Sequence, residues 1–172
     1  VVKRTRTPVL IARLKDPRKR VEDDRHFFAR DICTKILYPT DFSENALRAF
    51  RLLKTCHQEG NKEVILLHVQ DSRRLLPYLK RQLDEFNRID DERLAELKRQ
   101  LVFAGFTVQT RIKTGIPFVE INKMAEEEDV TVIVLASHGR SNIREALTGS
   151  VAEAVIQHHI RPVLVVPRSE DN

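Results

Sequence analysis

Gly139, Gly149 and Ser150 are the residues of this 172-residue chain whose types and spacing bear most directly on chemistry. A β-branched run, Thr131 to Leu135, precedes them and reads as a buried strand feeding a loop. Ser150-Val-Ala-Glu153 has capping-box spacing, so a helix is expected to start at Ser150, with Glu153 reaching back to its amide. Glycines and unpaired amides that converge on a helix N-terminus suit phosphate, because the orphan N–H groups and the helix dipole both favour negative charge. The chemistry on offer is binding rather than bond breaking. The chain has no GxxxxGK[ST] loop, hence no P-loop lysine to neutralise a transferred phosphoryl group. No Ser-His-Asp or Cys-His set can be singled out. His138, Arg140 and Arg144 flank the glycines and could touch phosphate, although loop residues of these types more often hydrogen-bond locally or face solvent.

The elements that position this stretch follow from hydrophobic periodicity. Lys35 to Tyr38 is a short buried strand stopped by Pro39, and Thr40-Asp41-Phe42-Ser43 offers capping side chains to a helix from Ser43 to His57. Asp41 by itself is most simply such a cap. Val64 to Val69 is a second buried strand in which His68 reads as a satisfied core histidine. A helix is expected from Tyr78 to Ala104, closed by Gly105 as its C′ residue. Phe106 to Ile112 alternates like a half-exposed edge strand, and Pro117 opens a helix to Glu127. The Thr131 strand, the helix from Ser150 to His158 and a last strand from Pro162 to Val166 complete the series. His158-His159 ends that helix, where positive charge suits the dipole.

Five alternations of strand and helix imply an α/β fold, a parallel sheet with helices on both faces. In the common 3-2-1-4-5 order, ligands bind where the order reverses, outside the carboxyl ends of the strands. That places Asp41 and Gly139 on facing walls of one crevice.

Composition sets the outer limits. One domain is expected, with no run of about 18 apolar residues to span a membrane. Cys33 and Cys56 lack metal-site or CxxC spacing and read as reduced thiols, which makes the cytoplasm the expected location. The net charge of +5 is local: residues 1 to 30 hold ten Lys/Arg against four Asp/Glu, and the remainder is nearly balanced. With no aromatic before Phe27-Phe28 and no reader motif, this basic segment reads as a solvated linker, with a nucleic-acid-binding arm as the less favoured alternative.

The first residues repeat the last. Val1 to Ala12 aligns without a gap on Val155 to Val166, Pro8 falling on Pro162 at the start of a four-residue apolar strand. Residues 1–13 are therefore expected to be the last strand of a preceding copy of the same unit, or a swapped strand. Residues 14–32 would be the linker, 33–168 the domain and 169–172 a tail.

Lys35-Ile-Leu-Tyr-Pro-Thr-Asp-Phe-Ser-Glu44, Val64-Ile-Leu-Leu-His-Val69, Thr114-Gly-Ile-Pro117 and Ser137-His-Gly-Arg-Ser-Asn142 with Gly149-Ser-Val151 together resemble the universal stress protein family, in its nucleotide-binding branch. That branch carries Gly, two residues, Gly, nine residues, Gly, then Ser or Thr; this chain departs only at the first position, where Ala136 stands. The resemblance implies an adenine-nucleotide-binding stress-response module, with ATP or AMP bound without efficient turnover and at most slowly hydrolysed. It implies Pro39, Thr40 and Asp41 against adenine and ribose, backbone groups of Val69 at the adenine edge and Ala136 near the ribose. Gly139, Gly149, Ser150 and Val151 would hold the phosphates, with His138 and Arg140 alongside and Mg2+ or Mn2+ as a candidate companion ion. It also implies antiparallel pairing through the last strand, Pro162, Val163, Leu164, Val165 and Val166. That pairing would join a homodimer, or form within one chain with Pro8, Val9, Leu10 and Ile11, and an unidentified regulatory partner would read the bound state. A nucleotide-free interaction module is the alternative.

Overall fold

Each apolar run becomes a strand of one sheet. The computed structural model describes residues 7–12, 32–55, 62–75, 80–138 and 150–168. Its strands are β1 (Val9–Ile11), β2 (Lys35–Pro39), β3 (Glu63–Asp71), β4 (Thr107–Gly115), β5 (Val132–Ala136) and β6 (Val163–Val166). Its helices are α1 (Glu44–Thr55), α2 (Ser72–Leu75), α3 (Lys80–Phe103), α4 (Pro117–Glu127) and α5 (Ser150–His158). The sheet order is β1-β6-β5-β2-β3-β4. Strands β2 to β6 are parallel to one another, in the expected 3-2-1-4-5 arrangement. The N-terminal strand adds to it antiparallel, Val9 opposite Val165 and Ile11 opposite Val163.

Strand side chains alternate between two cores. Ile36, Tyr38, Val64, Leu66, Val132 and Val134 face α1 and α3, where they meet Phe50, Leu53, Leu94, Leu97 and Leu101. Leu37, Ile65, Leu67, Ile133, Leu135, Val163 and Val165 face α4 and α5, where they meet Ile121, Met124, Ala125, Ala152 and Val155. A strand buried on both faces needs a continuous apolar run, which is why β2, β3 and β5 are legible without alternation.

Helix ends follow their local chemistry. The Ser43 hydroxyl accepts the Ala46 amide at 3.2 Å, so Ser43, not Asp41, is the cap of α1. Gly105 takes φ 89 past the end of α3. The Gly105 amide donates to the Val102 carbonyl and the Phe106 amide to the Leu101 carbonyl, and Leu101 and Phe106 pack in the same core. This is a Schellman closure.

Two expectations need correction. β3 runs to Asp71, beyond Val69, because its outer neighbour β4 also runs on, to Gly115. β4 is the edge strand but does not alternate cleanly; among its residues only Val108 is buried. Its long polar side chains fold back along the sheet, the Arg111 guanidinium donating to Gln109 Oε1 at 2.6 Å and to the Thr110 carbonyl at 3.0 Å.

Candidate functional site

The order reverses between β2 and β5, which lead to helices on opposite faces of the sheet. At the carboxyl end of that seam stand Pro39, Thr40 and Asp41 on one side and Ala136, Ser137 and His138 on the other. The geometry is set by unequal strand lengths. Pairing of β2 with β3 ends at Pro39 opposite Leu67, with a last bond of 2.9 Å from the Thr40 amide to the Leu67 carbonyl. β3 continues for four residues paired only with β4. In an extended strand the N–H and C=O of alternate residues point to the same side. Leu67 points its carbonyl at β2, so Val69 points its backbone polar groups the same way, at a level where β2 has already turned off. A donor and an acceptor of the main chain are thereby presented beside the Asp41 turn.

That turn is tightly bonded. The Phe42 amide donates to the Thr40 hydroxyl at 3.0 Å, and the Ser43 amide donates to Asp41 Oδ1 at 3.0 Å. Asp41 thus makes an Asx turn that leads into the helix without capping it. Between them Phe42 holds φ 60, a conformation that bulky L-residues seldom adopt. Below the turn, the buried Tyr38 hydroxyl donates to the Ala46 carbonyl at 2.6 Å. Burial pushes the Tyr38 phenol well above its ordinary range; a hydrogen bond with the Thr40 side chain pulls the other way, and the Asp41 carboxylate adds to the rise.

Ala136 ends β5 opposite Val166, and its side chain packs against the core on the α1 and α3 face. Positive φ outside glycine occurs among the described residues at Phe42 and Asp129, so Ala136 does not need the freedom of the glycine it replaces in the motif. Ser137 is buried, its amide donating to the Val166 carbonyl at 2.8 Å, and its hydroxyl lies 3.0 Å from His138 Nδ1. Ser150 is exposed at the first residue of α5, and Val151 packs against the core beneath. Gly139, Arg140, Arg144 and Gly149 lie outside the described residues.

His68 is a satisfied core histidine: its Nδ1 lies 2.7 Å from the Thr40 carbonyl and its Nε2 3.3 Å from Asp90 Oδ2. Asp90, Gln70, Asn87 and Arg93, which surround it, were not among the expected site residues. The signal for Gln70 was its place in the strand, two residues beyond His68 on the same face. Asp90 and Asn87 carried none, since polar residues are common in a charged helix.

The fold is that of a doubly wound α/β protein, with this crevice at the topological switch point, where open sheets of this kind bind ligands. The model of the universal stress protein family matches residues 33–167, and the chain belongs to that family. It is 40% identical over 153 residues to universal stress protein MJ0577 of Methanocaldococcus jannaschii, a match covering 78% of this chain and 94% of that protein. A solved structure of MJ0577 aligns with a TM-score of 0.78, covering 81% of this chain and 99% of that one. Two more distant structures share the fold. A universal stress protein solved in complex with cAMP has a TM-score of 0.61 at 23% identity, over 79% of this chain and 98% of its own. An Arabidopsis thaliana family protein solved with AMP bound has a TM-score of 0.55 at 19% identity, over 81% of this chain and 94% of its own.

Proposed function

We propose that this chain is an adenine-nucleotide-binding regulatory module that holds ATP or AMP without efficient turnover and passes its bound state to a partner, acting in the cytoplasm. The observation that carries the reading is the extension of β3 past β2. Adenine offers an acceptor and a donor along one edge, and Val69 presents a matching main-chain pair beside the Asp41 turn. The Asp41 carboxylate, with one oxygen engaged by the Ser43 amide, is placed for a ribose hydroxyl. Pro39, Thr40 and Ala136 form the walls on either side. The phosphates would lie toward His138, Gly139, Arg140, Gly149, Ser150 and Val151, at the start of α5. Mg2+ or Mn2+ would arrive with the phosphates. Relatives of the same fold solved with AMP and cAMP support an adenine nucleotide as the ligand class.

The test is release of ligand from purified protein and its identification by mass, followed by calorimetry with ATP and AMP. Near-stoichiometric adenine nucleotide is expected. Asp41→Ala is expected to weaken binding by roughly ten- to a hundredfold, the worth of a hydrogen bond to a charged group. No released nucleotide and no heat with either ligand, in wild type and in Ala136→Gly, sinks the reading. Slow ATP hydrolysis is ascribed to the protein only if Asp41→Ala removes it.

A specific observation favours a second role, in strand pairing. β1 covers β6 antiparallel through Val9, Leu10 and Ile11, as the last strand of a second copy would. Residues 1–13 are read on this basis as the end of a preceding repeat, with Pro8 to Ile11 and Pro162 to Val166 as the repeat interface. A nucleotide-free interaction module would keep this pairing and show no response to ATP.

A further inference from the structure

Beneath the Asp41 turn lies a set of buried polar groups that the proposed nucleotide contacts do not use. His68 (6% exposed), Gln70 (8%) and Asp90 (8%) sit between β3 and α3. The Thr40 carbonyl can only accept, so the His68 Nδ1 that lies 2.7 Å from it carries hydrogen and donates. The opposite ring nitrogen faces Asp90 Oδ2 at 3.3 Å. Gln70 Nε2 donates to the same oxygen at 3.1 Å and to Asn87 Oδ1 at 2.8 Å, and the Thr114 hydroxyl donates to Gln70 Oε1 at 3.4 Å. These bonds fix the imidazole from the α3 side. Its other end is fixed on the carbonyl of the peptide that enters Asp41.

The same histidine braces Phe42. The two rings meet with centroids 4.6 Å apart, and the Arg93 guanidinium carbon lies 5.4 Å from the Phe42 centroid. Arg93 Nη1 is 4.0 Å from Asp90 Oδ1, so one carboxylate orients both the histidine and the arginine. A left-handed L-residue costs roughly 1–2 kcal/mol, and such conformations persist only where neighbours over-determine them. Here the neighbours are an imidazole on one side and a guanidinium on another.

We propose that His68, Asp90 and Arg93 are positioning residues for the nucleotide pocket, holding the Thr40–Ser43 turn in its binding conformation from beneath. Loss of the imidazole frees the Thr40 carbonyl and removes the ring that seats Phe42. The peptide then rotates, and the Asp41 carboxylate leaves the crevice. α3 thereby becomes the element through which the pocket is set from beneath the turn. This inference rests on the nucleotide reading for its affinity readout, and not for its structural one.

The experiment is residue-resolved amide exchange on nucleotide-free full chain, with ATP affinity measured in parallel. The Phe42 and Ser43 amides report the two turn bonds directly. In His68→Leu they should exchange at least tenfold faster while the Ile133 and Leu135 amides of β5 keep their rates, and ATP should bind at least tenfold more weakly. Asp90→Ala, which removes the carboxylate shared by His68 and Arg93, should speed exchange at the same two amides at least threefold, and unchanged rates there count against its part in the device. Unchanged Phe42 and Ser43 exchange in folded His68→Leu overturns the proposal, as does equal acceleration at every amide, which would mark a merely structural histidine. If His68→Leu does not fold, Arg93→Ala at the half-exposed end of the stack decides. Threefold or faster exchange at Phe42 supports the role, and an unchanged rate overturns it. Wild-type protein that binds no ATP overturns the functional reading alone, since exchange still decides the positioning role.

Discussion

Ala136→Gly separates two accounts of the one motif position where this chain departs from its family's nucleotide-binding branch. If a glycine were required there for backbone freedom or close approach, restoring it would raise affinity for ATP tenfold or more. The structure argues otherwise, because Ala136 is ordinary strand, paired with Val166, with its methyl in the core behind the crevice. Replacing a strand alanine by glycine costs about 0.5–1 kcal/mol in backbone entropy. A fully buried methyl adds about 0.8 kcal/mol, and a partly buried one about half of that. The expected penalty is therefore about 1–1.5 kcal/mol, or roughly 3–5 °C in Tm for a chain of this size. Chemical denaturation and calorimetry on the same preparations provide both numbers. Affinity within threefold of wild type, together with that loss of stability, is the expected pair of results. A gain of tenfold in affinity, or stability equal to wild type, would refute the placement of the methyl.

Tyr38 makes stability sensitive to alkali. The unfolded phenol ionises near pH 10, whereas burial keeps the folded one protonated to higher pH. Stability should thus be intact below pH 10 and fall above it by about 1.4 kcal/mol per pH unit; Tyr38→Phe should lose that slope, and an unchanged slope would show that other groups cause it. Gly105→Ala, at φ 89, should cost about 1–2 kcal/mol in urea unfolding and Gly105→Asn less, an order that would reverse if helix propensity governed the site. Ser43→Ala should cost about 0.5–2 kcal/mol through the lost cap, while an equal loss in Asp41→Ala would reassign the cap. Removal of residues 1–12 should leave the outer edge of β6 unpaired and produce concentration-dependent association in sedimentation; a monomer at all concentrations would count against β1 as an edge cover.

The frame of the fold was legible because its central strands are buried on both sides and its helices carry their own punctuation. α4 and α5 run over the expected residues, Pro117 to Glu127 and Ser150 to His158, and Gly105 ends α3 as expected. The end of β3 was not legible. Gln70 and Asp71 look like turn residues, and Gln70 is in strand because Asn87, Asp90 and Thr114 meet its side chain from segments distant in sequence. Phe42 was equally opaque: nothing in its type suggests positive φ, and the conformation depends on His68 and Arg93 packed around it. The walls of the candidate site could thus be named from motifs. The device that holds one wall in place could not, since each of its members has an ordinary local explanation.

The pairing of β1 with β6 within one chain has a consequence for how that contact responds to protein concentration. A strand supplied by a neighbour arrives only as fast as two molecules meet, and the share of closed edges then rises with expression level. A strand supplied from the same chain arrives at an effective concentration on the order of millimolar, whatever the bulk value. An edge contact made within one chain is consequently unaffected by dilution. Changes in protein level therefore leave a contact of this kind as it is.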